Sequence, residues 1–372
     1  MRRSCTSLAA LLIPALATAS PAIAQAHVRL GVDRLADSLP KVLSGKRVGL
    51  ITNHTGRDRA GTPTIDLLAA RKDMKLVVLF GPEHGIRGVA SGRVSDDKDE
   101  KTALPVYSLF GETDKPTDAM LANVDALVFD IQDVGVRQYT YLSTMGLAMQ
   151  VAAQKRIPIV ILDRPNPIGG MIVEGNIREP GMESFVGLYP IASRHGLTAG
   201  ELAQLYNKEF HINADLHVVQ LQGWKRELWI DQTDLPWIKP SPNLPTFAGI
   251  MSYPGTVFFE GTNLSEGRGS DNPFEQTGAP WLHSQEVADA MNARHLPGVT
   301  FVAVDYAVAP GARKYGGQTI HGVRQVVTDR ETYRPIATTL RLIDTIHRLQ
   351  PNDFQWRHST ASPNATETTL TT

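Results

Sequence analysis

The feature that most constrains the fold of this chain is a set of four short apolar runs in its first half. They lie at residues 47–52, 75–80, 126–129 and 157–162. Within each run apolar residues follow one another instead of alternating with polar ones, a pattern typical of strands buried on both faces. Helix-like segments between the runs lie at residues 64–71, 117–122 and 144–154. Alternation of buried strands with helices predicts an α/β fold built on a parallel, doubly wound sheet.

A polar or glycine-rich cluster follows each of these runs. The clusters are NHTG (53–56), GPEHG (81–85), a segment that begins at Asp130, and DRPNP (163–167). In open α/β sheets the ligand crevice lies beyond the carboxyl ends of the strands, which is where these clusters fall. We therefore predict an active site on these loops, with Glu83 at its centre.

A second, mixed α/β domain is predicted for the rest of the chain. Its predicted strands lie near residues 216–221, 257–259, 300–304 and 321–327, and its predicted helices near 284–294 and 331–348. Residues 236–281 form a long stretch rich in proline and glycine, which we expect to wall the ligand cleft because long loops in compact proteins are usually functional. The predicted domains span residues 27–212 and 213–357, and residues 358–372 are expected to be disordered.

The N-terminus has the pattern of a secretory signal peptide over residues 1–26. Two arginines precede an apolar stretch, and small residues ending in AQA (24–26) supply a cleavage site. We therefore expect an exported, soluble, periplasmic protein whose mature chain begins near His27. The one cysteine, Cys5, lies ahead of the apolar stretch, whereas a lipoprotein cysteine follows it, so no membrane anchor is expected. A formal charge of −1 gives no field that would attract nucleic acid.

The segment GPEHGIRG (81–88) brings a carboxylate, an imidazole and a guanidinium together between glycines that let the backbone turn sharply. Glu83 is thus expected at the rigid end of a strand, where a general acid must be held to act reproducibly. The alternative is that Glu83 simply caps the next helix. His84 and Arg87 are the other candidates in this segment.

The segment DIQDVGVRQYTY (130–141) follows the third run directly. Asp130 and Asp133 either ligate a cation or anchor Arg137 and fix the loop, and we favour the second because one Asp pair makes a poor metal cage.

Two tyrosines close the same segment. Tyr139 and Tyr141 are two residues apart, so in an extended segment they point to the same face. The pair is either a platform for a sugar ring or part of the core.

Two further segments supply cations and amides. In DRPNP (163–167) two prolines fix the side chains between them, which serve either a ligand or a rigid crossover with an Asp–Arg pair. The segment RHG (194–196) precedes Thr198, a predicted N-cap of a helix through residue 209, and helix N-termini attract anions.

The stretch 236–281 contains two polar segments, SPNLP (241–245) and FEGTNLSEGRG (259–269). The carboxylates of these segments are candidates for a second catalytic carboxylate, and their polar groups are candidates for hydrogen bonds to substrate hydroxyls and an acetamido group. The alternative is that these side chains simply lie on the surface. The candidates are Asn243, Glu260, Asn263, Glu266 and Arg268.

Several common enzyme motifs are missing from the sequence. It contains no G-x-G-x-x-G after the first strand, no P-loop, no H-E-x-x-H and no G-x-S-x-G. Their absence disfavours dinucleotide enzymes, P-loop enzymes, zinc proteases of that type and ordinary serine hydrolases.

Five of these segments, taken in order, resemble the exo-β-N-acetylmuramidase family of peptidoglycan hydrolases, formerly a family of unknown function. They are GPEHGIRG, DIQDVGVRQYTY, DRPNP, RHGLT (194–198) and FEGTNLSEGRG, and the resemblance covers the mature chain up to about Trp356. It implies a Rossmann-like N-terminal domain, a smaller C-terminal domain and a cleft between them. The implied activity is release of N-acetylmuramic acid from the non-reducing ends of peptidoglycan fragments, without a cofactor, and Glu83 becomes the catalytic carboxylate.

Glycoside cleavage needs an acid that protonates the leaving oxygen, and we assign this role to Glu83, protonated beside His84. A protein nucleophile, a base-activated water or the substrate's own N-acetyl oxygen acts on the other face. The predicted catalytic residues are Glu83, His84, Asp130 and Asp163. The predicted substrate-binding residues are Asn53, His54, Arg87, Arg137, Tyr139, Arg164, Asn166, Arg194, His195, Asn243, Glu260, Asn263, Glu266 and Arg268. The lactyl carboxylate of the substrate suits the many arginines among them.

Two functions from other classes are kept as alternatives. A non-catalytic periplasmic protein that binds sugars or muropeptides would use the same cleft. A metal-dependent hydrolase of esters or phosphates would use Asp130, Asp133, Asp163 and the histidines.

The sequence also departs from the family after Trp356, where a tail rich in Ser and Thr replaces the further helical sequence of other members.

Overall fold

The computed structural model of the protein describes residues 25–86 and 95–357. The signal-peptide segment up to residue 24, Arg87 and the predicted tail at 358–372 lie outside the described residues. None of the helices in the described ranges is long and apolar enough to cross a membrane.

Strands are numbered in chain order through the described residues. They are β1 (Arg47–Thr52), β2 (Lys75–Gly81), β3 (Asp97–Lys98), β4 (Pro105–Ser108), β5 (Ala126–Asp130), β6 (Ile159–Leu162), β7 (Glu174–Ile177), β8 (Ala192–Arg194), β9 (Leu216–Val219), β10 (Gln276–Ala279), β11 (Val299–Ala307) and β12 (Thr319–Val327). The helices are α1 (Gly31–Asp37), α2 (Thr64–Ala69), α3 (Tyr141–Lys155), α4 (Ala199–Glu209), α5 (Phe247–Thr256), α6 (Ser284–Asn292) and α7 (Pro335–Leu349). Short 3₁₀ turns lie at Lys41–Leu43, Ile230–Gln232 and Val257–Gly261.

The large sheet has seven strands in the order β3-β4-β2-β1-β5-β6-β9, and β3 is its one antiparallel member. Successive side chains of a strand point to opposite faces. Accordingly Leu127 and Phe129 of β5 pack with α3 and α4, whereas Ala126 and Val128 pack with α1 and α2. Both faces of the sheet are therefore covered, which confirms the predicted doubly wound parallel architecture.

The predicted cap of α4 is also present. The Thr198 hydroxyl accepts a hydrogen bond from the Glu201 amide at 3.2 Å, and the Glu201 carboxylate accepts one from the Thr198 amide at 3.0 Å. This reciprocal capping box satisfies two amides that the first turn of the helix leaves free.

The smaller second domain contains the antiparallel sheet β10-β12-β11, against which α6 and α7 pack. Its core joins Val299 and Phe301 of β11 to Leu342 and Ile346 of α7. The predicted second, mixed α/β domain is therefore confirmed.

Three predicted elements differ from the structure. The strand predicted at 216–221 for the second domain is β9, which pairs in parallel with β6 at the edge of the large sheet. The strand predicted at 257–259 is wrong because these residues continue from α5 as a 3₁₀ turn, and three apolar residues carry no periodicity that separates the two structures. The helix predicted at 117–122 is a series of turns, with a single i to i+4 hydrogen bond, from Leu121 N–H to the Thr117 carbonyl.

Candidate active site

A cavity of about 540 Å³ opens where the loops after β2 and β5 meet the stretch 236–281. Seven of the predicted site residues line it: Glu83, His84, Arg137, Tyr139, Asn243, Glu260 and Arg268. Aromatic pairs form much of the remaining wall, with Phe110 against Phe185 and Tyr253 against Phe274, ring centroids 6.0 and 4.8 Å apart. A few polar groups converging on apolar walls is the usual composition of a ligand site.

Glu83 is positioned by the tight turn that ends β2. The Gly85 amide donates to the Pro82 carbonyl at 2.8 Å, and His84 and Gly85 both have positive φ, 71° and 70°. Left-handed backbone is costly for a residue with a Cβ, so the surrounding fold must hold His84 in place. The turn leaves the Glu83 side chain partly buried on the cavity wall.

Thr140 holds the Glu83 carboxylate. Its hydroxyl donates to Glu83 Oε2 at 2.7 Å. Thr140 immediately precedes α3, whose first residue, Tyr141, lies with its hydroxyl 3.5 Å from the Glu83 carbonyl. The sequence offered Thr140 as a neighbour of the two tyrosines, but we did not predict its role.

The two tyrosines are mostly core residues. Their rings meet edge to face with centroids 4.7 Å apart, and both hydroxyls donate to the Pro240 carbonyl, Tyr139 at 3.0 Å and Tyr141 at 3.2 Å. Burial, and next the neighbouring Tyr141, raises the pKa of Tyr139 well above its usual range. The pair thus fastens the start of the stretch 236–281 to the loop after β5, while Tyr139 also reaches the cavity wall.

Asp130 does not line the cavity, and it does not anchor Arg137, so that part of the interpretation is wrong, whereas Asp133 does fix the loop by accepting from the Gly135 amide at 2.6 Å. Asp130 is fully buried and forms a two-point ion pair with Arg164, with Nε to Oδ1 at 2.6 Å and Nη2 to Oδ2 at 2.9 Å. Arg137 instead donates to the carbonyls of Asn176 and Ile191. Arg164 pairs with the buried Asp130 carboxylate because β5 and β6 are parallel neighbours, so the segment DRPNP that follows β6 lies beside the end of β5.

Asp163 is used inside the fold as well. Its carboxylate accepts from the Gly200 amide at 2.8 Å and from the Thr198 hydroxyl at 3.2 Å, at the N-terminus of α4. Burial raises the pKa of Asp163 to about 6. The structure therefore gives Asp163 the position of a helix-terminus acceptor, away from the cavity lining.

Six further predicted residues do not line the cavity, and each has at least one side-chain polar atom in an internal hydrogen bond. Asn53 accepts from Thr55, His54 contacts the Lys239 carbonyl, Asn166 bonds Leu197 and Ile168, Arg194 donates to Ile168, His195 accepts from Leu197, and Asn263 bonds Asp353 and Gln355. Their positions at strand ends and in loops made these polar residues candidates, but the sequence did not show the direction in which each side chain points.

Charged groups of the stretch 259–269 form one cluster at the rim of the cavity. Arg268 bonds Glu260 Oε1 at 2.6 Å and Glu266 Oε1 at 2.9 Å, and Lys314 bonds Glu266 Oε2 at 2.9 Å. Burial alone would raise the pKa of Glu266, but the charges of Lys314 and Arg268 outweigh it and lower that pKa. Glu266 is thus a buried support, and Glu260 is the carboxylate of this cluster that reaches the cavity.

The residues named for the metal-dependent alternative are dispersed. Asp130 pairs with Arg164, Asp163 caps α4, and Asp133 accepts from the Gly135 amide at 2.6 Å. Among residues 25–86 and 95–357, no three His, Cys, Asp or Glu side chains group as a metal site would require.

Other residues of the cavity lining were not predicted from the sequence. The polar ones are Gln138, Thr140, Asn176, Arg178, Glu179 and Ser241. Gln138 and Thr140 lie within a segment we had singled out, whereas the segment around Arg178 contains no recognisable motif.

Two family models cover most of the chain. The model described as exo-beta-N-acetylmuramidase NamZ, N-terminal, matches residues 48–248, and its C-terminal counterpart matches residues 251–371. The peptidoglycan beta-N-acetylmuramidase NamZ of Bacillus subtilis (strain 168) is 51% identical over 331 residues, which are 88% of this chain and 80% of the relative.

Two solved structures share the fold. One DUF1343 family protein of Bacteroides fragilis NCTC 9343 matches with a TM-score of 0.82 and 40% identity, over 89% of this chain and 84% of that protein. A second from the same strain matches with a TM-score of 0.67 and 31% identity, over 88% of this chain and 84% of the other. The similarity thus extends over both domains, and the chain belongs to the exo-beta-N-acetylmuramidase NamZ family.

Proposed function

We propose that this protein is an exo-acting glycoside hydrolase that releases N-acetylmuramic acid from the non-reducing ends of peptidoglycan fragments. Family membership and the name of the Bacillus subtilis relative support the reaction class. The observation that carries the proposal is the Glu83 carboxylate, fixed by Thr140 on the wall of a cavity large enough for a sugar residue.

In this proposal Glu83 is the general acid. Cleavage passes through an oxocarbenium-like state, and the leaving oxygen must receive a proton as its bond to the anomeric carbon breaks. The Thr140 hydroxyl donates to Oε2, which leaves Oε1 as the oxygen that carries the proton toward the substrate. Holding the carboxyl group in one orientation favours this transfer because little reorganisation remains when the reaction occurs.

The group on the other face of the sugar is chosen from the cavity lining. Asp130, Asp163 and Glu266 are occupied inside the fold, so Glu260 is the remaining predicted carboxylate beside Glu83. A water molecule and the substrate's N-acetyl oxygen are the other two nucleophiles. The configuration of the released sugar separates an inverting from a retaining reaction, and a trifluoroacetamido substrate that reacts far more slowly identifies the N-acetyl oxygen as nucleophile.

The decisive experiment is turnover of nitrophenyl β-N-acetylmuramide and of the matching β-N-acetylglucosaminide by the mature protein. Glu83→Gln is expected to lower kcat by about 1000-fold or more on a muramide whose leaving group is a sugar or alkyl alcohol, since general acid catalysis typically contributes about 100- to 10,000-fold. The loss on the nitrophenyl muramide should be smaller, because its acidic phenol leaves with little protonation. Glu286→Gln is the matched control because that side chain is 54% exposed on α6.

Two outcomes would contradict the proposal. Full activity of Glu83→Gln on the muramide with a sugar or alkyl leaving group would remove Glu83 from the chemistry. A folded wild-type protein that binds N-acetylmuramic acid without turning over any muramide would favour the binding-protein alternative.

We also propose that the protein is exported to the periplasm and processed near His27. The two arginines, the apolar stretch and AQA (24–26) support this assignment. N-terminal sequencing of protein recovered from the periplasmic fraction tests it, and an intact Met1 on that protein would contradict it.

A further inference from the structure

Two arginines on the cavity wall have no part in the proposed proton transfer. Arg137 lies in the loop after β5, and Arg178 directly follows β7. Their side chains line the same cavity as Glu83, although each residue is nearly buried, with 5% and 8% of its surface exposed.

One donor of each guanidinium is fixed by the fold. Arg137 Nη1 donates to the Ile191 carbonyl at 2.6 Å and to the Asn176 carbonyl at 3.1 Å. Arg178 Nη1 donates to the Glu179 carbonyl and to Glu183 Oε1, both at 2.6 Å. These contacts hold each planar group in a set orientation and leave its other edge unused.

That other edge carries the Nε and Nη2 donors. Within the described residues, the Nε of both arginines is buried with no hydrogen-bond partner, and neither Nη2 has a partner there. Buried N–H groups are nearly always paired in folded proteins, because a donor removed from water without a partner costs about 1–3 kcal/mol.

Other arginines of this chain show what the same edge binds. Arg164 holds Asp130, Arg47 holds Asp125 and Arg71 holds Asp73, each through Nε and Nη2 together. This two-point geometry is the usual way in which a guanidinium holds a carboxylate. In Arg137 and Arg178 the carboxylate for this edge is missing from the described part of the chain.

The charge balance also favours an anion at this place. Burial, and next the positive charge of Arg178, lowers the pKa of Arg137. Glu183, the acidic partner of Arg178, is 59% exposed, and no acidic partner of Arg137 is found among the described residues. A carboxylate between the two groups would relieve their repulsion.

We propose that Arg137 and Arg178 together bind the lactyl carboxylate of N-acetylmuramic acid and so select this sugar over N-acetylglucosamine. The inference rests on the proposed function, since it names the group of the same substrate that these residues recognise. The two sugars differ only in the lactyl ether, and its carboxylate is the one charged group that distinguishes them.

The test compares two substrates that differ at this group alone. One is nitrophenyl β-N-acetylmuramide with its free carboxylate, and the other is the same compound with the carboxylate converted to a primary amide. Wild-type protein is expected to prefer the acid by about 30-fold in kcat/KM, the size of a charge-assisted contact. Arg178→Gln and Arg137→Gln should each lose about 30-fold on the acid, mainly through KM, and less than about 3-fold on the amide.

Arg348→Gln is the matched control, because its side chain is 74% exposed on α7, and it should leave both values unchanged. Arg178→Lys keeps the charge but not the fork, so it should recover part of the preference. Unfolding curves for every variant separate loss of fold from loss of recognition.

Equal losses on the acid and the amide would overturn the inference, since they would mean that the arginines only support the fold. Equal wild-type activity on both substrates would overturn it as well. If the wild type hydrolyses neither substrate, the proposed function fails by itself. The arginines are then tested by calorimetric binding of free N-acetylmuramic acid, where undiminished affinity in Arg178→Gln overturns the inference and a loss of about 30-fold supports it.

Discussion

Replacing Asp130 by an uncharged residue tests whether its carboxylate supports the fold or takes part in catalysis. Asp130 is fully buried, Arg164 is 4% exposed, and two hydrogen bonds of 2.6 and 2.9 Å join them. Asp130 also accepts from the Thr64 hydroxyl. Asp130→Asn keeps the size of the side chain but removes the charge and turns an amide N–H₂ toward a guanidinium that can only donate.

The expected cost follows from this geometry. Removing one partner of a buried ion pair leaves the other charge uncompensated, which typically costs about 3–5 kcal/mol. A loss of 1 kcal/mol lowers the Tm of a domain of about 150–250 residues by about 2–4 °C, so the domain that holds Asp130 should melt about 10 °C lower. Turnover per folded molecule at room temperature should change less than about 3-fold, because Asp130 does not line the cavity.

Thermal unfolding followed by circular dichroism, together with muramide turnover below the transition, measures both quantities. Asp118→Asn is the matched control, since that carboxylate is 84% exposed. Arg164→Met added to Asp130→Asn should recover part of the lost stability, because no charge then remains buried. An Asp130→Asn protein with unchanged Tm and a kcat lowered about 100-fold would refute this reasoning and make Asp130 catalytic.

Three further perturbations test other parts of the structure. Thr140→Val removes the hydrogen bond to Glu83 and should lower kcat about 10-fold with little change in KM, whereas unchanged kcat would show that Glu83 needs no such support. The pKa of about 6 for Asp163 lies above its ordinary 3.8, so folding takes up a proton between these values and the free energy of unfolding falls as pH rises through them, by up to about 3 kcal/mol. Asp163→Asn should flatten that part of the pH profile in urea titrations, and equal slopes for the two proteins would contradict the assignment. Lys314→Met leaves the Glu266 carboxylate buried beside one cation instead of two, so the unfolding free energy should drop by about 3 kcal/mol, and an unchanged urea midpoint would speak against it.

Strands of the large sheet were predicted correctly where the pattern that marks them lies within a few consecutive residues. The run at 47–52 coincides with β1, because a continuous apolar segment that stops at a polar cluster marks both ends of a buried strand. The cap at Thr198 was equally local, since the capping box lies within four residues. The sheet to which β9 belongs was not predictable in this way, because its partner β6 lies more than fifty residues earlier in the chain.

The candidate site was predictable only in part, for a similar reason. Polar residues at strand ends identified the edge on which Glu83 and Arg137 lie, but Asp130 and Asp163 occupy equivalent positions and point into the protein. Arg178 was missed because it reaches the cavity only through the ribbon of β7 and β8, which brings Ser193 against the backbone of Arg137. Such a meeting of distant segments leaves no pattern in either segment alone.

The edge position of β9 decides where this chain can be divided. A shortened chain that stops at residue 212 would leave the apolar strand β6 with bare backbone N–H and C=O groups, an edge that invites pairing with other chains. The first residues of the expected mature chain are tied to the same region, since the Val28 amide donates to the Asp234 carboxylate at 3.0 Å and Arg29 and Gln222 exchange backbone hydrogen bonds. The large sheet is therefore complete only with residues up to 219, and a separately expressed N-terminal unit must extend to about residue 234 to keep the contacts of its first residues as well.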